Sequence, residues 1–275
     1  MIPVPSCNDR HTGVVASEHA VHIWKVNLDR QAYQAAFFYD MLSHDEHKRA
    51  ARYPFEVHRR RFIIARGILR LLLSGYLCTQ PQKILFGYGP TGKPEVVSPA
   101  AQIRFNLSHS GSVALFAVSR VHEVGIDIET LRRDFDIAAI TDLVFTARER
   151  VVFANCTEDR KVAAFLRGWT RKEACLKAIG AGLHFPIKQI EVPFEAALNA
   201  FPIDIDTGHD DVYSPVPLHL YTLEACSKHE SALAVAGDPV SIVMNTWPDR
   251  IDSMNRDIEC LRDRYHDEKT TVNAH

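Results

Sequence analysis

The chain of 275 residues is 46% hydrophobic, enough to bury a core in one large domain or two modest ones. Its 32 Lys+Arg against 34 Asp+Glu give a formal net charge of -2, which argues against nucleic acid or a membrane surface as partner and makes any polyanion site local. The most apolar stretch, I-L-R-L-L-L-S-G-Y-L-C (68–78), contains Arg70 and falls far short of the ~20 residues that span a bilayer.

The start, M-I-P-V-P-S-C-N-D-R, lacks the basic region and apolar core of a secretory signal. Cys7, Cys78, Cys156, Cys175, Cys226 and Cys260 form no C-x-x-C pair and no zinc spacing, so they read as free thiols in a reducing cytoplasm. After about twenty irregular residues, V-H-I-W-K-V-N-L (21–28) alternates as a strand with one slip. Residues 44–77 read as helical, with the basic cluster His58, Arg59, Arg60, Arg61 followed by a largely buried stretch that puts Arg66 and Arg70 on one face. F-G-Y-G-P-T-G-K-P (86–94) reads as a loop.

I-R-F-N-L-S-H-S-G (103–111) leads into strands at 112–119 and 124–129, which the short polar break between them predicts to be a hairpin. Helical text returns at 134–140 and at 146–153, where Thr146 and Glu149 match a capping box. The longest helix is expected from about Lys161 to Ile179, stopped by Gly180 and Gly182. Strands are expected at 188–192, 218–223 and 232–236, and a charged helix after Asp249. Helices followed by strands in both halves suggest two α+β units meeting near residues 120–130.

In V-G-I-D-I-E (124–129) the strand period puts Ile126 and Ile128 on one face, with Asp127 and Glu129 together on the other. Two adjacent carboxylates repel unless solvent or a cation intervenes. On the long helix, Glu173 falls in the middle of an apolar arc of Val162, Phe165, Leu166, Trp169 and Leu176. Lys177 stands one turn on, while Arg167 and Arg171 are expected in solvent. An i,i+4 pair of Glu173 with Lys177, and a solvated face for the strand acids, are the plainer readings. Three carboxylates without a His or Cys cluster also suit a hard cation with oxygen ligands, Mg²⁺ above all, which completes its shell with water and substrate phosphate.

Gly87, Gly92 and Lys93 are in register for a P-loop, but Pro94 stands where the hydroxyl residue is required, which rejects that assignment. Ser108, His109, Ser110 and Gly111 can bind an anion through hydroxyl, imidazole and backbone N–H groups. Adjacent Ser108 and His109 point oppositely and no G-x-S-x-G elbow exists, so no hydrolase dyad is read there.

G-K-P (92–94), F-N-L-S-H-S (105–110), V-G-I-D-I-E (124–129) and W-T-R-K-E-A-C-L-K-A-I-G-A-G-L (169–183), in this order and at these separations, resemble the 4′-phosphopantetheinyl transferases of the Sfp type over about residues 20–240. The resemblance implies an α+β fold, a pseudo-twofold monomer of two similar α/β subdomains with coenzyme A between them. The expected divisions are an irregular extension (1–20), an N-terminal subdomain (21–123), a C-terminal subdomain (124–240) and a helical extension (241–275). It implies Mg²⁺, or Mn²⁺ in its place, on Asp127, Glu129 and Glu173. Lys177 would touch the coenzyme A phosphates, as would Ser108 and His109. Thr91, Gly92, Lys93 and Pro94 would lie along the adenine. Arg61 would meet the 3′-phosphate, helped by Lys48, Arg49 or Arg52.

The implied reaction transfers phosphopantetheine to a serine of an apo acyl or peptidyl carrier protein and releases 3′,5′-ADP. Lys177 would stabilise the leaving phosphate, and Glu173, directly or through a water on the metal, would accept the serine proton. The alternatives are another Mg²⁺-dependent phosphoryl-transfer or phosphohydrolase enzyme, and a non-catalytic coenzyme A- or carrier-binding module, which would be expected to have lost a metal carboxylate.

Overall fold

The computed structural model describes residues 20–100, 102–132, 136–182, 185–206 and 215–249. β1 (Ala20–Asn27) explains the slip in its own alternation, because both of its faces are buried. Val21 and Ile23 enter one apolar layer, and Trp24, Val26 and the following Leu28 enter another. β1 is thus an interior strand of a four-stranded sheet ordered β10-β1-β5-β4, with β4 at Arg104–Ser110, β5 at Val113–Ser119 and β10 at Ser241–Thr246. β10 runs parallel to β1; the other pairs are antiparallel.

The second sheet, ordered β6-β9-β8-β7, is wholly antiparallel and comprises β6 (Val124–Thr130), β7 (Phe201–Asp206), β8 (Pro215–Thr222) and β9 (His229–Ala236). The sheets pack through Val21, Ile23, Leu115 and Ala117 of the first against Ile126, Ile128, Leu233 and Val235 of the second. The outer face of the first carries α3 (Glu56–Leu77), through Ile64, Ile68 and Leu72 against Trp24 and Phe116. The outer face of the second carries α6 (Glu158–Ile179), through Ala174, Cys175 and Ala178 against Leu220 and Ala234. α1 (Ala35–Tyr39) and α2 (His44–Ala51) flank α3; α4 (Ile137–Val144) and α5 (Ala147–Ala154) flank α6, building a separate core around Phe145, Phe153 and Phe165. Among the described residues no helix is long and apolar enough to cross a membrane.

Several expectations change. The strands 113–119 and 124–130 are not a hairpin: β5 pairs with β1 and β4, and β6 with β9. The turn between them crosses from one sheet to the other, because each strand has an apolar face to bury and a sheet of its own to join. The 44–77 helix is broken around Pro54 into α2 and α3, since proline removes a donor and constrains its predecessor. The 86–94 loop contains strand, β2 (Leu85–Tyr88) turning back as β3 (Pro94–Ser98). Residues 188–192 are a short 3₁₀ turn and coil rather than a strand. The segment from 241 begins as strand in the first sheet, and the helix expected beyond Asp249 lies outside the described residues.

Candidate active site

Gly125 sets the geometry. A Cβ there would stand 2.0 Å from the Ala174 carbonyl oxygen and 2.3 Å from the Ala178 nitrogen, so only glycine lets β6 lie directly against the backbone of α6. That approach puts Lys177 over the strand. Its Nζ donates to Asp127 Oδ1 at 2.6 Å and to the Ile126 carbonyl at 3.1 Å, and lies 3.2 Å from Ser108 Oγ. Ser108 Oγ also donates to Asp127 Oδ1, at 2.8 Å.

The edge strands β4 and β6 are joined by side chains. Asn106 Oδ1 accepts from the Ile126 N–H at 3.0 Å, Ser108 meets Asp127, and Ser110 Oγ donates to Glu129 Oε2 and accepts from the Thr130 N–H, both at 3.0 Å. The period of two in N-L-S-H-S therefore does two jobs. Asn106, Ser108 and Ser110 face the acids, while His109 faces the α3 side, where burial and then the charges of Arg61, Lys177 and His58 lower its pKa. The imidazole reaches solvent although protein surrounds most of it. Asn106 was missed in the sequence, although the alternation held its signal, and Ser110, read as an anion-binding hydroxyl, meets Glu129 instead.

Asp127, Glu129 and Glu173 share one electrostatic neighbourhood. Burial and then the charge of Asp127 raise the pKa of Glu173 and of Glu129 above the ordinary carboxylate range. Two carboxylate oxygens, Asp127 Oδ2 and Glu173 Oε1, are buried without a hydrogen-bond partner. Such groups are costly unless a cation or donor meets them. A hard divalent cation suits this set by its all-oxygen chemistry and by these two orphaned atoms. Among the described residues no three His, Cys, Asp or Glu side chains already close into a cation cage. The cation that Asp127 has in this structure is the ammonium of Lys177.

Periodicity assigned the faces of α6 only in part. Phe165, Leu166 and Leu176 are buried as expected, whereas Trp169 and Glu173, expected within the apolar arc, form a partly open stripe with Lys177, and Arg171 is buried. Arg171, expected in solvent, donates to the carbonyls of Pro193 and Glu195 and to Thr222 Oγ1. Arg167 is mostly buried against Glu230. Loop carbonyls beside α6 satisfy these cations, an arrangement that a hydropathy arc cannot register. Cys175 is inert, its thiol pushed up to about 12 by burial.

The 91–94 loop docks on the end of α6. Thr91 Oγ1 donates to the Gly180 carbonyl at 2.5 Å, and a Cβ on Gly182 would stand 2.9 Å from Thr91 Cβ. Lys93 Nζ donates to Glu123 Oε2 at 2.8 Å and to the Ala178 carbonyl at 3.1 Å, so its ammonium ties loop to helix. Gly92 has φ +86 with open space around it, and Pro94 starts β3. Arg61, on the first turns of α3, is held by Asp29. Of the helpers named with it, Arg49 lies over the Phe62 ring and, with Arg52 and Tyr53, lines a shallow depression.

Residues 123–219 match a family model described as 4′-phosphopantetheinyl transferase superfamily, and residues 27–121 match one described as 4′-phosphopantetheinyl transferase, N-terminal. The chain is 40% identical over 174 residues to 4′-phosphopantetheinyl transferase HetI of Nostoc sp., covering 62% of this chain and 73% of the relative. It is 35% identical over 151 residues to 4′-phosphopantetheinyl transferase AcpT of Salmonella typhi, covering 55% and 76%. With 4′-phosphopantetheinyl transferase gsp of Aneurinibacillus migulanus it shares 28% identity over 204 residues, covering 74% and 83%. A two-sheet α+β fold with acids and a lysine on the β6–α6 seam thus carries a transferase signature along both halves, and the chain belongs to the 4′-phosphopantetheinyl transferase superfamily.

Proposed function

We propose that the protein transfers the 4′-phosphopantetheine arm of coenzyme A to a serine hydroxyl of an apo acyl or peptidyl carrier protein, releasing 3′,5′-ADP, as a holo-[acyl-carrier-protein] synthase of the Sfp branch acting as a cytoplasmic monomer. The observation that carries this reading is the pair of buried, unpartnered oxygens of Asp127 and Glu173 beside Lys177, whose charge, with those of Arg61 and His58, also reaches His109. Negative groups that want a cation stand next to positive groups that want phosphate.

Asp127, Glu129 and Glu173 would hold Mg²⁺, with Mn²⁺ as a substitute, and the ion supplies charge neutralisation at the pyrophosphate when bound. The chain's own groups do the rest. Lys177 meets the negative charge that grows on the departing phosphate as the serine oxygen attacks the neighbouring phosphorus in line. Ser108 and His109 orient the phosphates, Arg61 takes the 3′-phosphate, and Thr91 to Pro94 border the adenine. Glu173, directly or through a water, would accept the serine proton.

Incubation with apo acyl and apo peptidyl carriers, coenzyme A and Mg²⁺, followed by intact mass measurement, tests the reading. Carrier mass should rise by one phosphopantetheine arm, with 3′,5′-ADP released in equal amount. Nucleotide release without any carrier gain would instead indicate a phosphohydrolase.

A further inference from the structure

Asp29 opens the 3₁₀ turn at 29–34 that follows β1. Its carboxylate accepts two hydrogen bonds from Arg61, from Nε at 2.9 Å and from Nη2 at 2.7 Å. Two-point pairing fixes the plane of a guanidinium, which a single contact leaves free to rotate. It uses two of the five N–H donors and leaves three for a ligand. The side chain of Arg61 is 19% exposed and that of Asp29 is 43% exposed. With Asp29 this open to water the pair contributes little to folding, so its value lies in what it does to Arg61.

The turn that carries Asp29 is itself fastened from far along the chain. Asn27 Oδ1 accepts from the backbone N–H groups of Asp29 and Arg30. Arg30 pairs with the Asp249 carboxylate at 3.0 Å, Gln31 Nε2 donates to the Pro248 carbonyl at 3.0 Å, and Tyr33 Oη donates to the Asp249 carbonyl at 2.6 Å. Upstream of those contacts, β10 pairs along β1, and Trp247 is buried with its ring edge on Trp24, centroids 6.2 Å apart. The strap 241–249 crosses from the second half of the chain to clamp the turn that carries Asp29.

We infer that Asp29 is a positioning residue for the nucleotide: it holds the Arg61 guanidinium in one orientation with three donors left for the 3′-phosphate, and the 241–249 strap holds Asp29. This rests on the reading of the protein as a coenzyme A-using transferase. Nothing in the chemistry of transfer passes through Asp29, so it acts on nucleotide binding alone.

The test is the KM for coenzyme A and for 3′-dephospho-coenzyme A, with kcat and carrier KM measured alongside. Asp29→Asn keeps the shape but removes the charge-assisted pair, and is expected to raise the coenzyme A KM about tenfold. The 3′-dephospho KM, the carrier KM and kcat should stay put, and Asp29→Glu should recover part of the loss. Arg30→Ala, at an exposed position, should move the coenzyme A KM in the same direction by about twofold. An Asp29→Asn enzyme with unchanged KM, or with equal increases for both nucleotides, overturns the inference; a lower coenzyme A KM would make Asp29 a competitor of the phosphate. An unchanged Arg30→Ala enzyme removes the strap from it. If the wild type does not distinguish the two nucleotides while still loading the carrier, the assignment of Arg61 fails and the inference falls with it. A wild type that loads no carrier overturns the functional reading instead.

Discussion

The two halves of the molecule repeat a plan and then part at one strand. In each, a short helix begins with a capping box, Ser43 with Glu46 on α2 and Thr146 with Glu149 on α5. In each, the capping glutamate also reaches a buried cation on the following 22-residue helix: Glu46 takes Arg66 and Arg70 of α3, and Glu149 takes Lys172 of α6. The first strand of each half then diverges. β1 sends Trp24 and Val26 towards its helix, whereas β6, with Val124 and Ile126 in the shared layer as Val21 and Ile23 are, sends Asp127 and Glu129. One half fills the strand–helix gap with an indole. The other closes it with Gly125 and leaves acids and Lys177 in it. The same scaffold makes a core on one side and a charged seam on the other by changing the side chains that face the strand–helix gap.

Removing the seam should have the largest effect. Asp127→Ala, Glu173→Gln and Lys177→Ala are each expected to lower carrier loading by about a hundredfold or more, with circular dichroism unchanged. A Glu173→Gln enzyme that loads a carrier at the normal rate breaks the contrast between the halves.

Removing the shared element should act on folding instead. Glu46→Ala and Glu149→Ala each leave a buried cation unpaired, at a cost of about 3–5 kcal/mol, read in urea unfolding. Unequal penalties would show that the repeated glutamates are not equivalent supports.

A finer contrast lies in the sign of pH dependence. Burial works to raise the pKa of Glu46, but the hydrogen bond from Arg70 and the charge of Arg66 outweigh it, and the result lies below the ordinary value. Its contribution is present above the unfolded carboxylate range and is lost as pH falls through the folded value. Glu129 and Glu173 are shifted upwards, so what they contribute is present at low pH and is lost as pH rises through their folded values. In metal-free protein at neutral pH, Glu46→Gln should therefore lower Tm and Glu173→Gln should raise it. Added Mg²⁺ should raise the Tm of the wild type and lose that effect in Asp127→Asn.

A smaller change is expected of His109→Ala, which should raise the KM for coenzyme A about fivefold while leaving kcat nearly intact, consistent with one phosphate hydrogen bond.

Much of this was legible in the sequence. Period two put Asp127 and Glu129 on one face, and Gly180 stops α6 with a left-handed cap where the glycine pattern said it would. The capping box at Thr146 is also as expected. The failures share a cause. Strand 113–119 was joined to 124–130 because adjacency favours hairpins, yet the choice between pairing across a turn and crossing to another sheet depends on partners far along the chain. Arg167 and Arg171 were read as facing solvent, although Glu230 and the carbonyls of Pro193, Phe194 and Glu195 make their burial possible. Asp29 carried no local signal, since its partner lies 32 residues away.

By itself the sequence determined most of the helices and strands and singled out the acids and Lys177, because side-chain period, caps and charge are local properties of the chain. Tertiary structure alone decided which groups meet. Only the contact of Gly125 with the α6 backbone brings Lys177 to Asp127, and only the packing around it leaves oxygens of Asp127 and Glu173 without a donor. Such an arrangement is fixed by backbone approach between distant segments, for which no periodicity in the chain provides a code.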